Sequence, residues 1–237
     1  ATQTSLYLCS LISRAVEVGR TDLLPVCVTL FQESGHILFA SMLKACLLNA
    51  IRDENVGMAC ALVDLQSSTR DSLAFTAMQE AIRHHSRKVL AYALSVRNTA
   101  QRRTRAAFFA ASLSHAECIP LILTFGLLDE ALVEAKSHSW FFGNFAKAEY
   151  WEILERWESM ELILSTFPSL RRRAAPNLFA ACCQFSAPEK IKEMADGLTA
   201  TEIIESNALR LACRFNEPPS VRTVLECLPD CAESQLY

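Results

Sequence analysis

An all-α fold is predicted for this 237-residue chain: a single domain over 1–237, built as a solenoid of about seven stacked helix-turn-helix units. Three observations carry that expectation. Glycine is scarce, alanine and leucine dominate, and one alanine recurs at a nearly constant step. The six glycines fall far below the usual share of about 7%. Ala and Leu supply 32 residues each. At 51% hydrophobic and 21% charged, the chain can build a large core and is not of the disordered class. It lacks the frequent turn residues that a sandwich or barrel requires. No two glycines lie within ten residues of each other, which excludes a Gly-rich phosphate loop and a dinucleotide-binding turn.

The repeat is an apolar residue, two of any kind, then Ala. It occurs at Ile12–Ala15, Leu47–Ala50, Met78–Ala81, Phe108–Ala111, Leu178–Ala181 and Leu209–Ala212, with a weaker copy at Gly143–Ala146. Successive alanines are 35, 31, 30, 35, 35 and 31 residues apart. Units are expected to start near residues 5, 40, 72, 105, 138, 175 and 205. Eight to ten residues past each alanine stands the anchor of a second helix: Leu23, Ala59, Val89, Ile119, Leu154, Ile191 and Val221. Polar residues that can cap that helix lie between: Thr21, Asn55, Ser86, Ser114, Ser186 and Ser220. Ser114 with Glu117, and Ser186 with Glu189, have the spacing of a capping box. The clearest second-helix stripe is Val221, Val224, Leu225 and Leu228. A pair of short one-faced helices cannot bury itself alone, so the units are expected to stack.

Asn207-Ala208-Leu209-Arg210-Leu211-Ala212-Cys213, followed by Val221 and Val224, resembles the ankyrin repeat in period and register. Pro176-Asn177-Leu178-Phe179-Ala180-Ala181-Cys182 is a second such copy, and Gly19 falls where that family turns between its helices. The likeness runs from about Ser5 to Leu228. It implies a non-enzymatic scaffold or adaptor for protein partners, as part of a larger protein or as an effector inside a host cell. Armadillo- or HEAT-like packing of the same helix pairs stays open.

The fifth unit departs from the pattern. Trp140, Phe141, Phe142 and Phe145 put four aromatics into six positions, with Tyr150, Trp151 and Trp157 following. They read either as bulky filler or as an apolar anchor for a partner, since aromatic residues are favoured in binding hot spots. Glu149, Glu152, Glu155, Glu158 and Glu161 then line one helical face with acid.

A net charge of −3 exerts no global pull toward nucleic acid or an anionic membrane. Many of the ten cysteines lie among apolar neighbours, which suits reduced thiols in a cytoplasmic setting, the host cytosol for an effector. No positively charged leader region opens the chain. With Ala1 in place of an initiator Met, an upstream segment is expected. The longest uncharged apolar run, Cys118–Leu128, has 11 residues and includes a proline, too short for a membrane span, so a soluble protein is expected.

Candidate chemistry is sparse. His115 and Cys118 could share a helix face, but Cys118 reads as a buried inert thiol; a hydrolase using Cys118 or Cys183 is the second alternative function. No Cys-x-x-Cys occurs, the histidines at 36, 84, 85, 115 and 138 look scattered, and neither metal nor cofactor is expected. Between Arg70 and Arg105 the chain has eight basic and two acidic residues, and a further basic cluster is Arg171-Arg172-Arg173. Residues 127–165 carry eight acids against three bases. A field split in this way suits an acidic protein partner better than a continuous polyanion, leaving nucleic acid as the first alternative. Arg97, Arg102, Arg103 and Arg105, read as one solvated junction loop, are the expected contact set, with Trp140, Phe141 and Phe142 as the apolar anchor.

Overall fold

The computed structural model describes residues 2–33, 39–65, 70–143, 150–183, 188–214 and 218–228; all regular structure among them is helical. The chain divides into two compact units, residues 1–128 and 129–237. Among the described residues no helix is long and apolar enough to cross a membrane.

Unit 1 contains α1 (Thr2–Glu17), a 3-10 turn (Thr21–Leu23), α2 (Leu24–Glu33), α3 (Phe39–Arg52), α4 (Val56–Asp64), α5 (Arg70–Arg83), α6 (Arg87–Val96), α7 (Ala100–Ser112) and α8 (Cys118–Thr124). Each odd-numbered helix packs on the even-numbered helix that follows it. Odd helices also pack on the next odd one, α1 on α3, α3 on α5 and α5 on α7, while α4 packs on α6 and α6 on α8. That neighbour-only packing is solenoidal. It is founded on the recurrent alanines: Ala15, Ala50, Ala81 and Ala111 are all buried, beside buried Ile12, Leu47, Met78 and Phe108. A methyl group at those points lets the helix axes approach closely.

The junctions repeat as closely as the core. Gly19, Glu54, His85 and Ser114 each adopt left-handed backbone, with φ between 55° and 74°. At each, the following N–H bonds back to a carbonyl of the preceding helix: Arg20 to Ala15, Asn55 to Ala50, Ser86 to Ala81 and His115 to Ala110, at 2.8–3.0 Å. With the companion bonds Gly19 to Val16, Glu54 to Ile51, His85 to Ile82 and Ser114 to Ala111, each odd helix ends in a Schellman motif. Asn55 then serves twice, accepting from Met58 N–H at 3.1 Å as the cap of α4.

Several sequence expectations shift here. Ser114 is a left-handed C-terminal residue, not an N-cap, and Glu117 holds the position before α8, so their capping box does not form. Leu23 is exposed because the 3-10 turn twists the entry to α2, and Leu24 is the buried anchor instead.

Unit 2 contains α9 (Glu130–Gly143), α10 (Tyr150–Ser165), α11 (Pro168–Cys183), α12 (Pro188–Ala195), α13 (Ala200–Glu205), α14 (Ala208–Arg214) and α15 (Pro218–Cys227). Helix α11 is its hub, touching α9, α10, α12, α13, α14 and α15. It starts well before Pro176, which therefore sits inside the helix and not in the first turn expected from the ankyrin register. Arg171, Arg172 and Arg173 are accordingly helical rather than a junction, with Arg171 paired to Glu161 and Arg173 to Glu134, each at 3.3 Å. Helix α13 was not foreseen. Thr199 accepts from Glu202 N–H at 3.3 Å while the Glu202 carboxylate takes the Thr199 N–H at 2.8 Å, a complete capping box.

On α15 the buried face is Ser220, Thr223 and Val224, and Leu225 of the expected stripe is 44% exposed. Thr223 satisfies its hydroxyl on Pro219 O at 2.9 Å, which lets a polar residue face the core. Trp157 is buried, as filler would be. Ala146 and Ser186, and the side chains of Trp140, Phe141, Phe142, Leu154 and Ala181, lie outside the described residues.

Candidate functional site

The basic junction is not a loop. Helix α6 ends at Val96, Thr99 caps α7 by accepting from Arg102 N–H at 3.2 Å, and Arg102, Arg103 and Arg105 all stand in the first two turns of α7. No acidic residue occurs in that first turn. Cations are disfavoured at a helix N-terminus by its positive dipole end, so this placement runs against local electrostatics. Compensation comes from α5, where the Asp71 carboxylate pairs with Arg97 and the Asp71 carbonyl accepts from Arg102 Nη2 at 2.8 Å.

These contacts leave an open cleft of about 540 Å³ lined by Phe75, Arg97, Thr99, Gln101, Arg102 and Arg105. That is enough for acidic side chains to enter beside an apolar floor at Phe75. Arg102 is half-buried, and its Nη1 is buried without a hydrogen-bond partner. Burial lowers the Arg102 pKa from its ordinary value, with Asp71 opposing the shift and Arg97 adding to it. The Arg102 side chain forms part of the cleft wall and is held there by its bond to the Asp71 carbonyl.

Arg103 faces the other way. It is only 8% exposed, its Nε donates to Leu127 O at 2.9 Å, and its Nη1 donates to Asn98 Oδ1. Asn98 in turn donates to Phe125 O at 2.8 Å. This fork fixes the chain after α8, and Arg103 lies away from the cleft surface. Arg97, Arg102 and Arg105 are the arginines brought together there. Asp71 and Phe75, one helix pair earlier, were missed; the step of about thirty residues between neighbouring units was the signal that could have found them.

The candidate thiols Cys118 and Cys183 are shifted away from nucleophilic reactivity. Burial, then the charge of Glu117, pushes the Cys118 thiol up to about 11, and burial pushes Cys183 up to about 12. Cys182 is raised as well, by burial first and then by Cys183. A reactive cysteine requires the opposite shift. A second polar groove in unit 2 is lined by Pro176, Asn177, Glu202, Asn207, Arg210 and Arg214. The chain matches no protein-family model, no curated protein and no solved structure.

Proposed function

We propose that this protein is a non-enzymatic interaction scaffold that holds an acidic segment of a protein partner in the arginine cleft between α5 and α7. The observation that carries the reading is the convergence of Arg97, Arg102 and Arg105 with Phe75 on one open cleft, where Asp71 holds Arg97 and Arg102 in place. Carboxylates match the planar fork of arginine, and an apolar floor gives a neighbouring side chain something to cover. The helix pairs are read as degenerate ankyrin-type units, supported by their period and left-handed turns. The thiol-rich interior suits a cytoplasmic setting.

The test uses a fluorescent Glu/Leu peptide and a single-stranded oligonucleotide as probes, titrated at low and high salt. Peptide binding that weakens with salt and disappears in Arg97→Ser/Arg102→Ser/Arg105→Ser is the expected result. Unchanged peptide binding in that variant overturns the site, and tighter binding of the oligonucleotide turns the reading toward nucleic acid.

A further inference from the structure

Two of the histidines that look scattered in sequence, His85 and His115, converge at one edge of unit 1. His85 is the left-handed residue between α5 and α6, and His115 follows the left-handed Ser114 between α7 and α8. The stacking of successive units carries one junction onto the next. The His85 and His115 rings lie 4.1 Å apart, centroid to centroid, at 63°. Glu117 joins them, with its Oε1 at 2.6 Å from His85 Nδ1 and 4.0 Å from His115 Nδ1. One ligand atom from each of the three residues falls within a 4.8 Å cluster.

We propose that His85, His115 and Glu117 form a binding site for a divalent transition-metal ion of the zinc class, which would clasp two successive helix pairs together. Zinc takes imidazole nitrogen and carboxylate oxygen at about 2.0–2.2 Å, so tetrahedral ligands lie roughly 3.3 Å from one another. The separations in this cluster straddle that value, and side-chain rotation suffices to reach it. Two imidazoles and one carboxylate suit zinc, cobalt or nickel, whereas calcium and magnesium favour all-oxygen sets. The backbone beneath the ligands is held: His85 N–H bonds to Ile82 O at 3.2 Å and His115 N–H to Ala110 O at 3.0 Å. Both imidazoles therefore project from closed turns rather than from slack loops. Side-chain exposures of 55% for His85 and 54% for Glu117, against 20% for His115, leave one side accessible for entry and for a water ligand. The nearby Arg83 is paired with Glu80 and lies over the Phe109 ring at 5.3 Å, so its charge is already occupied. The site is separate from the arginine cleft and does not depend on its function.

The experiment titrates Co²⁺ alone into the full chain at neutral pH without added thiol, following visible absorption, and then displaces it with Zn²⁺. One Co²⁺ per chain is expected, with d–d bands of a nitrogen- and oxygen-ligated ion and no sulfur-to-metal charge-transfer band. Thermal unfolding should shift upward on loading. His85→Asn, chosen because Asn tolerates left-handed backbone, and His115→Gln should each weaken binding about tenfold or more, with circular dichroism unchanged. Glu117→Gln should weaken it too. Non-saturating binding, a thiolate charge-transfer band, or undiminished affinity in both histidine variants overturns the proposal.

Discussion

The Arg103 guanidinium is closed over the carbonyl of Leu127, donating through Nε at 2.9 Å from a buried position. Gly126, the residue before Leu127, lies against this contact at φ +127°, and an added Cβ there would stand 3.3 Å from the Arg103 guanidinium carbon. Arg103→Lys keeps the charge but loses the fork, and should destabilise by roughly 1.5–3 kcal/mol, the range for hydrogen bonds to charged groups. Gly126→Ala should also destabilise, through both its backbone and the crowding against Arg103. Urea denaturation of the two variants checks this. Wild-type stability in Arg103→Lys would mean the fork contributes nothing net.

Enlarging the recurrent alanines should be costly wherever they touch a neighbouring helix. Ala111 and Ala212 are both fully buried. Ala111→Leu and Ala212→Leu should each lose roughly 1–3 kcal/mol by overpacking, measured by chemical denaturation. The same substitution at exposed Ala131 is the control and should change little.

The buried thiols of α11 predict a pH effect with a definite sign. The Cys183 pKa is raised to about 12 in the folded chain, while an unfolded thiol titrates near 8.5. Its contribution to stability is therefore complete below about pH 8.5 and lost as pH rises toward about 12, because the unfolded chain releases the proton first. Cys182 acts in the same direction. Denaturation at pH 7.5 and 9.5 should show a larger loss for the wild type than for Cys182→Ala/Cys183→Ala. An equal loss in both would show that these thiols are not shielded. In denaturant without reductant, a thiol reagent should count close to all ten cysteines of the chain. In the native state exposed Cys213 should react well before Cys182 and Cys183.

The capping box of α13 should be measurable on its own. Thr199→Ala removes the acceptor for Glu202 N–H and should cost about 1 kcal/mol. The Glu202 pKa is lowered by the Thr199 backbone and hydroxyl bonds. The contribution of Glu202 is thus present above the ordinary carboxylate range and fades as pH falls through its lowered folded value. Glu202→Gln should flatten that acid limb, and an unchanged limb would remove the carboxylate from the account.

What was legible in the sequence was whatever has a period. The alanines at 15, 50, 81, 111 and 212 are buried as the repeat requires, because close helix contact demands a small residue at a fixed register. Ser114 misled because a polar residue between helices can end one as readily as begin the next, and only its φ of 60° tells which. Pro176 misled in the same manner, since a proline at a first helical position and one inside a longer helix read alike until the upstream residues are known to be helical. Arg103 could not be told from Arg102 or Arg105. Its acceptor is a backbone carbonyl, which leaves no trace in residue identity. Asp71 and His85 reach their partners across the step from one unit to the next, so they become visible only when equivalent positions are stacked.

The left-handed turn residue has a consequence for how such a chain can change over time. Of the four Schellman turns described in unit 1, the first uses glycine there, and Glu54, His85 and Ser114 occupy the others. A side chain in that conformation forgoes about 1 kcal/mol relative to glycine. Three successive turns therefore sacrifice stability at a site that glycine would fill more comfortably, and each sets a variable group at a junction, where the next can meet it. Because the helix end is closed by backbone bonds, new side chains can be tried there without disturbing the interior. The turns behave as sockets at a regular pitch, and an innovation at one is read by the next, as His85 is by Glu117.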